Sequence, residues 1–541
     1  MILCQININE KMNDKNTGTT FMIMNSCRII LVCIIMVLIT TKVCQSKEPV
    51  STIQTNSVSR IDGSLLIEYD PMIFGQFIEH FQRQIYGGIY DPNSSLSDKN
   101  GYRLDVIDAL RELKVPVVRW PGGCFVSSYH WLDGVTEPRI PSYDKAWHVE
   151  EPNKFGTDEF IEWCRLIGAE PYICTNAGTG TPEEMSDWVE YCNLKTMGKY
   201  SKIRVNNGHP EPYNVKYWSI GNENYGFWEM GAKTVDEWGN MVRESAKLML
   251  NVDPSIKLFA AAQADTAWTM PLIKKAGMYL DYISIHGYWD RLHHYNNPSD
   301  YLKCMMWSEE PEKQIVKTID MIDKSGYKDK LWIAFDEWNL RGWHHPWHGD
   351  PRKPMDIAAR DKNDLNETYT MADAVFSACF LNSCLRHSDY VKMANMSPVV
   401  NTRGPLFVHP TGIVKRTTYH VLYLYTHLLE PYIAGCQTSS ETFNENNEVN
   451  VIDAVVTCSK DQRKFALSIV NKHPEKEIKY FINMPGLPAS LDATILTGDS
   501  ENAYNDIDNP NRVVPVNVNL AVEDGWILLK PHSVYIIRFS L

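Results

Sequence analysis

Positive charge is scarce in this 541-residue sequence. Its 53 lysine and arginine residues are outnumbered by 66 aspartate and glutamate residues, which gives a formal net charge of −13. An acidic surface repels the phosphate backbone of DNA or RNA, so we expect no nucleic-acid partner. The charge is compatible with a neutral ligand.

Long apolar runs are also rare. The most prominent is residues 29–39 (IILVCIIMVLI), which follows Arg28 and precedes a polar stretch. This run is too short to span a bilayer comfortably and is typical of the apolar part of a secretory signal. We therefore interpret residues 1–46 as a signal or leader segment and expect a secreted protein, or a periplasmic one in a bacterium, without a stable membrane span. A membrane anchor is the alternative.

Cysteine motifs and phosphate loops are missing. Nine of the 13 cysteines lie beyond residue 46, scattered, without a CxxC pair or metal-ligand spacing. No metal or other cofactor is therefore predicted. His344, His345 and His348 form a histidine-rich stretch without organised carboxylates, which we interpret as a rim loop. No GxGxxG loop follows the first predicted strand, which disfavours a doubly wound nucleotide-binding fold.

Eight short apolar runs alternate with amphipathic stretches. The runs are residues 72–79, 115–120, 170–178, 215–223, 256–263, 281–288, 331–339 and 391–398. Such β-branched and aromatic runs are typical of strands buried on both faces of a parallel sheet. Between them, residues 102–114 carry one apolar stripe, and Thr157, Thr181 and Thr234 are predicted helix N-caps. Residues 70–400 are therefore predicted to form a (β/α)8 TIM barrel, with an open doubly wound sheet as the alternative.

The pattern changes after about residue 400. Short alternating runs follow at residues 451–458, 464–471, 477–484, 493–498, 513–520 and 533–541, separated by turn-rich polar segments. This pattern predicts a C-terminal antiparallel β-sandwich over residues 401–541. Residues 47–69 precede the first barrel strand and are predicted to add strands to this sandwich.

The candidate chemistry lies at two predicted strand ends, because functional groups of a TIM barrel cluster at the carboxyl ends of its strands. The fourth run ends in Asn222 and Glu223, and the seventh ends near Asp336 and Glu337. Two carboxyl groups facing each other suit cleavage of a glycosidic bond, one as proton donor and the other in ionised form. Their separation would distinguish retention from inversion of the anomeric configuration.

Several motifs in order resemble the α-L-arabinofuranosidases of glycoside hydrolase family 51. They are FGQFIEH (74–80), RWPGGCF (119–125), GNEN (221–224), SIHGY (284–288), DEWN (336–339) and NTRGP (401–405). The similarity extends from about residue 60 to the C-terminus. It implies a retaining hydrolase that releases terminal α-L-arabinofuranosyl residues from arabinose-decorated polysaccharides or oligosaccharides, and a homo-oligomer.

The resemblance also implies roles for individual residues. Glu223 matches the general acid/base and Glu337 the nucleophile. Asn222 matches the residue that hydrogen-bonds the sugar 2-hydroxyl, and Glu79 matches a carboxylate that binds sugar hydroxyls. Arg119 matches an arginine close to the nucleophile, whose permanent charge would favour the ionised form of Glu337.

Further substrate contacts are expected on the sixth and seventh strands. Tyr288, or His286 two residues earlier, matches the strand-six position that contacts the nucleophile, and a histidine packed at the top of the barrel is the alternative role for His286. Trp338 is predicted to bind substrate and is one of six tryptophans near predicted strand ends that could stack on a sugar: Trp131, Trp147, Trp228, Trp289, Trp338 and Trp343. Cys124 is also expected at the sugar site, where the family commonly has asparagine, and Pro398 aligns with a sugar-binding glutamine.

These two departures keep other functions open. Cys124 and Pro398 both remove hydrogen-bond partners for a sugar, which leaves room for an endo-β-glucanase or xyloglucan-type glycanase on the same barrel. A non-catalytic carbohydrate-binding protein is a third alternative. Both glutamates argue against it, since a binding protein has no chemical need for the pair.

Overall fold

The computed structural model of the protein describes residues 57–292, 296–342, 352–353, 364–444 and 447–541. The predicted leader segment (residues 1–46), the histidine-rich stretch and Trp343 lie outside the described residues. Among the described residues, no two of the nine cysteines beyond residue 46 form a disulfide. Among the described helices, none combines the length and the apolar character that crossing a bilayer requires.

Strands and helices of the described residues follow one another in this order. The strands are β1 (Ser57–Glu68), β2 (Gly75–Phe77), β3 (Val117–Trp120), β4 (Ser142–Asp144), β5 (Val149–Glu151), β6 (Glu170–Thr175), β7 (Tyr217–Ile220), β8 (Lys257–Ala261), β9 (Tyr282–Asp290), β10 (Trp332–Arg341), β11 (Val391–Met396), β12 (Leu406–His409), β13 (Gly412–Lys415), β14 (Tyr432–Ser439), β15 (Thr442–Asn444), β16 (Asn447–Asn450), β17 (Ile452–Cys458), β18 (Lys464–Asn471), β19 (Ile478–Asn483), β20 (Ser490–Leu496), β21 (Val516–Ala521), β22 (Trp526–Leu529) and β23 (Ser533–Ser540). The helices are α1 (Leu104–Leu113), α2 (Thr157–Ile167), α3 (Pro182–Asn193), α4 (Tyr200–Asn206), α5 (Val235–Val252), α6 (Thr266–Ala276), α7 (Tyr301–Met306), α8 (Glu310–Ser325), α9 (Met371–Arg386) and α10 (Thr417–Leu428).

Eight parallel strands close into a barrel in the order β2, β3, β6, β7, β8, β9, β10, β11. Each strand overlaps one of the eight apolar runs, so the predicted (β/α)8 barrel is confirmed. A layer of large side chains fills its interior, including Val117, Tyr172, Phe259 and Met393. Because side chains of a strand alternate between faces, the inward residues two positions further along form the next layer toward the carboxyl ends. That layer is polar, and Arg119 belongs to it.

Local signals set several helix starts. Thr181 accepts a hydrogen bond from the Glu184 amide at 3.1 Å, and Thr234 caps α5 through the Glu237 amide, as predicted. The prediction that Thr157 is an N-cap is wrong. Thr157 is the first residue of α2, and its hydroxyl instead accepts a hydrogen bond from Trp188 Nε1 at 3.0 Å.

The C-terminal region forms a nine-stranded, mostly antiparallel sheet, which confirms the predicted second sheet domain. Its order is β21-β20-β23-β18-β17-β14-β1-β19-β22, and β1 pairs parallel to β19. The sheet encloses a core of its own, which includes Ile469, Tyr480 and Ile537. Helix α10 was not predicted. Its residues (TTYHVLYLYTHL) are apolar on nearly every side and mostly buried, so the polar face that marks an amphipathic helix is missing.

Candidate active site

The carboxyl ends of β7 and β10 bring Glu223 and Glu337 together. A carboxylate oxygen of each glutamate lies within 4.8 Å of the other and of a ring nitrogen of His286. His286 Nδ1 is 2.9 Å from Glu223 Oε1 and 3.5 Å from Glu337 Oε2. An upper limit of 4.8 Å between the closest carboxylate oxygens is compatible with the spacing of about 5–5.5 Å between the carboxyl groups of retaining glycosidases.

A sharp turn after β7 positions Glu223. Gly221 has φ +69° and Glu223 has φ +44°, both in the left-handed region. A side chain at Gly221 would come within 2.1 Å of Asn224 Oδ1, so the turn requires glycine there. Positive φ is costly for a glutamate, and such strained residues cluster at functional sites.

Two donors hold the Glu337 carboxylate. Arg119 Nη1 donates to Oε2 at 2.9 Å, and the Tyr288 hydroxyl donates to Oε1 at 2.6 Å. Tyr288 in turn accepts a hydrogen bond from Arg403 Nη2 at 2.9 Å and lies 2.8 Å from Ser397 Oγ. Because each carboxylate oxygen has its own donor, the rotation of the carboxylate is restricted.

An irregularity in β10 allows Glu337 to face this site. The pairing of β10 with β9 shifts register between Ala334 and Glu337, so strict alternation of faces is interrupted. Asp336 and Glu337 both reach Arg119, at 3.5 Å from Nε and 2.9 Å from Nη1 respectively. The next residue, Trp338, consequently points away from the cleft.

The predicted substrate contact of Trp338 is therefore corrected. Its side chain is 1% exposed and stacks on Phe380 of α9 with ring centroids 3.7 Å apart. Two other tryptophans of the predicted set reach the site instead. Trp228 is 41% exposed and donates to Glu223 Oε2 at 2.7 Å, and Trp147 donates to Glu79 Oε1 at 2.9 Å.

Asn222 is held between one hydrogen-bond donor and one acceptor. Its Oδ1 accepts a hydrogen bond from Arg119 Nη2 at 2.7 Å, and its Nδ2 donates to Glu229 Oε1 at 3.1 Å. A donor on one side and an acceptor on the other settle which way the amide points.

His286 carries a positive charge in this site. Burial alone would lower its pKa, but the charge of Glu337 and the hydrogen bonds of Asp336 and Glu223 outweigh burial and raise the pKa of His286 to about 10. Conversely, burial favours the neutral form of Glu223, but the hydrogen bond and charge of His286, with the hydrogen bond from Trp228, bring the pKa of Glu223 below its usual value. The proton shared by these two groups therefore lies on His286.

Glu79 lies in a close-fitting recess. Its Oε1 accepts hydrogen bonds from the Phe125 amide at 3.0 Å and from Trp147 Nε1 at 2.9 Å. The consecutive glycines of RWPGGCF make room for this side chain, since a Cβ at Gly122 would come within 2.8 Å of Glu79 Cγ and one at Gly123 within 2.7 Å of Oε2. The glycine pair therefore has a steric role.

The Glu79 carboxyl is protonated near neutral pH. Burial, followed by the charge of Glu337, raises the pKa of Glu79 to about 8. With Oε1 occupied by two donors, a proton on Oε2 can be donated to a ligand hydroxyl. Glu79 is thus suited to recognise a sugar as a neutral hydrogen-bond donor.

Cys124 is half-buried at the start of a 3₁₀ turn (Cys124–Ser128). Its sulfur and one oxygen each of Glu223 and Glu229 lie within 4.8 Å of one another. Burial and then the charge of Glu229 raise the pKa of the Cys124 thiol, so it stays protonated. Pro398 is buried and offers no side-chain hydrogen bond, whereas the preceding Ser397 contacts Tyr288.

Sequence reasoning assigned no role to several residues of the site. Asp336 accepts hydrogen bonds from Tyr172 and Ser284, both at 2.6 Å, and balances the charge of Arg119. The other site residues without a predicted role include Glu229, Ser397 and Arg403. Arg403 lies in the NTRGP motif, which was the only signal pointing to it. Nothing in the local sequence distinguishes Glu229 or Ser397.

Comparisons with known proteins agree with this geometry. Residues 109–312 match the family described as "Alpha-L-arabinofuranosidase 1 domain", and residues 336–533 match "Alpha-L-arabinofuranosidase C-terminal domain". The chain is 34% identical to the probable α-L-arabinofuranosidase C of Aspergillus niger, over 90% of this chain and 97% of the relative. It is 31% identical to an intracellular exo-α-(1→5)-L-arabinofuranosidase of Acetivibrio thermocellus, over 86% and 94%. An arabinose complex of the Thermotoga maritima α-L-arabinofuranosidase superposes with a TM-score of 0.79 at 34% identity, over 90% and 100% of the two chains.

Proposed function

Since this chain belongs to the α-L-arabinofuranosidases of glycoside hydrolase family 51, we propose that it releases terminal α-L-arabinofuranosyl residues by double displacement, with Glu337 as nucleophile and Glu223 as acid/base. The observation that carries this proposal is the pair of carboxylate oxygens within 4.8 Å of each other at the carboxyl end of the barrel. The substrates are arabinose-decorated polysaccharides or oligosaccharides. The test below also separates this activity from that of an endo-acting glycanase on the same barrel.

In the first step Glu337 attacks the anomeric carbon while the bond to the leaving oxygen breaks. Arg119 and Tyr288 hold the carboxylate through one hydrogen bond to each oxygen, which keeps the attacking oxygen oriented. Asn222 and Glu79 bind hydroxyls of the same sugar. A hydrogen bond to the 2-hydroxyl strengthens as the oxocarbenium-like transition state develops.

The leaving oxygen needs a proton from Glu223. That proton comes from His286, whose Nδ1 is 2.9 Å from Glu223 Oε1. Transfer along this hydrogen bond converts an ion pair into a neutral imidazole and a protonated carboxyl group. The net charge of the buried site does not change. The two groups therefore titrate as a unit.

In the second step water replaces the leaving group. Glu223, now ionised, takes a proton from water as the water oxygen attacks the anomeric carbon and the ester bond to Glu337 breaks. Each step inverts the anomeric centre once, so the overall result is retention.

Azide distinguishes the two roles. In Glu223→Ala, azide needs no base and should attack the glycosyl-enzyme, giving the α-configured arabinosyl azide. In Glu337→Ala, azide should attack the substrate from the vacated face, giving the β-configured azide. We expect Glu337→Ala alone to keep less than about a thousandth of the wild-type rate.

The control for this experiment is Glu523→Ala, which removes an exposed glutamate of the C-terminal region and should not change turnover. Azides of the same configuration from both variants would contradict the roles. In a second assay, the rate of hydrolysis of an aryl α-L-arabinofuranoside is compared with the rates for an aryl β-glucoside and an aryl β-xyloside. Turnover of the β-glucoside alone would favour a glucanase, and binding without turnover would favour a carbohydrate-binding protein.

The proposal also includes secretion of the protein and its assembly into a homo-oligomer. The apolar run at residues 29–39 supports export of the protein, and deletion of residues 1–46 should retain the enzyme inside an expressing eukaryotic cell. Recovery of the deleted form from the medium would contradict this. A homo-oligomer is expected from the family and is checked by light scattering on the purified protein.

A further inference from the structure

The sugar site contains more acidic groups than cations. Cys124 and Glu229 form one wall of the site, next to Glu223. Glu229 is 4% exposed and accepts hydrogen bonds from the neutral groups Ser127 Oγ, at 2.5 Å, and Asn222 Nδ2, at 3.1 Å. A cation bound beside Cys124, Glu223 and Glu229 would offset part of this excess of acidic groups.

The donor atoms of this wall suit one class of cation. A thiol and two carboxylates, with their ligand atoms within 4.8 Å of one another, form a mixed sulfur and oxygen set. Zn²⁺ binds sulfur at about 2.3 Å and carboxylate oxygen at about 2.1 Å, which puts tetrahedral ligands about 3.6 Å apart. Side-chain rotations that shorten these separations by up to about 1.2 Å would bring the three atoms to that spacing.

We propose that Cys124, Glu229 and Glu223 form an inhibitory binding site for a soft divalent cation such as Zn²⁺ or Cd²⁺. Binding replaces the thiol proton, which is released to solvent, by a metal–sulfur bond. Mg²⁺ is excluded, since it prefers oxygen ligands in octahedral geometry. The cation is an inhibitor and not a cofactor, because it occupies the oxygen atoms that acid catalysis by Glu223 uses.

Inhibition rests on the proposed role of Glu223, but binding does not. The test therefore measures both. Cd²⁺ is titrated into the full-length enzyme while the near-ultraviolet charge-transfer absorption of a cadmium–thiolate bond is recorded. Zn²⁺, Cd²⁺ and Mg²⁺ are then compared as inhibitors of aryl α-L-arabinofuranoside hydrolysis. We expect inhibition by the first two only, competitive with substrate, and loss of the absorption when L-arabinose saturates the site.

Substitutions at Cys124 and Glu229 test which residues bind the cation. Cys124→Ser should abolish the absorption and raise the Zn²⁺ concentration for half-inhibition by at least about 10-fold, since even the loss of an outer-shell partner costs 10- to 100-fold in affinity. Cys436→Ser is the matched control, because Cys436 also has a partly exposed thiol and lies on β14. It should keep both signals. Glu229→Gln provides a second variant that retains the thiol and should weaken binding by a similar factor.

Each outcome decides the proposal. An unchanged absorption in Cys124→Ser, or equal inhibition of that variant and the wild type, would overturn it, as would a wild-type enzyme that shows no absorption with Cd²⁺. Absorption that depends on Cys124 without inhibition would support the metal site and contradict the role of Glu223 instead.

Discussion

Adding one methyl group at Gly122 tests how the recess positions Glu79. A Cβ at Gly122 would lie 2.8 Å from Glu79 Cγ and 3.1 Å from Oε1. Contacts this short force the neighbour to move. Glu79 is 4% exposed and is held by two hydrogen bonds, so it cannot move without losing them. Gly122→Ala changes no charge and removes no polar group.

The expected magnitude follows from the hydrogen bonds at risk. Displacing Glu79 removes its hydrogen bond to the sugar and leaves buried donors of Phe125 and Trp147 without a partner, which together costs about 2–4 kcal/mol. If this cost falls on the transition-state complex, kcat/KM falls by about 30- to 900-fold. Both kcat and KM are measured with an aryl α-L-arabinofuranoside, and thermal unfolding is followed in parallel.

The control glycine is Gly412, at the start of β13. An added Cβ there meets only His409, at 3.5 Å, which is an ordinary contact. Gly412→Ala should therefore keep the wild-type kinetics. A Gly122→Ala enzyme within twofold of wild type would refute the claim that the position of Glu79 matters for binding the sugar.

Three other substitutions test separate parts of the structure. Tyr288→Phe removes the hydroxyl that donates to the nucleophile, so kcat/KM should fall by about 10- to 100-fold while the unfolding temperature stays close to wild type; unchanged kinetics would contradict this contact. Trp338→Phe should lower the free energy of unfolding in urea by about 1–2 kcal/mol and leave KM within twofold, because the indole packs on α9; a large rise in KM would return Trp338 to the sugar site. Burial opposes ionisation of Glu312, but hydrogen bonds from His387 and Arg386 outweigh it and lower its pKa to about 2. Ionised Glu312 therefore stabilises the fold by about 2–3 kcal/mol above about pH 4.3, and this stabilisation is lost as the pH falls toward 2. The difference in free energy of unfolding between wild type and Glu312→Gln should close over that range. A difference that does not depend on pH would refute the role of Glu312.

Two kinds of local pattern allowed the barrel to be predicted. A strand buried on both faces needs a continuous apolar run, and a helix on the outside needs an apolar stripe, so each element is visible over fewer than about 20 residues. Helix α10 lacked such a pattern because its environment is apolar on nearly all sides. Its helical state depends on partners that lie elsewhere in the chain.

The active site also has parts that could be predicted from the sequence and parts that could not. Glu223 and Glu337 follow apolar runs directly, so their place at the carboxyl end of the barrel could be predicted. The side chains that hold them could not. Arg119 lies 218 residues from Glu337, and Arg403 lies 115 residues from Tyr288. Only the closed barrel brings such residues within hydrogen-bond distance.

The sequence by itself determined where the barrel strands lie along the chain and which glutamates follow two of them, since these follow from local periodicity and motif. Tertiary structure alone decided which face of β10 each side chain takes. The register shift before Glu337 turns that carboxylate toward Arg119 and turns Trp338 toward α9, and a shift of this kind arises from pairing with β9 and β11. Tertiary structure also placed the proton on His286, because its charge depends on three carboxylates that meet only after the chain has folded.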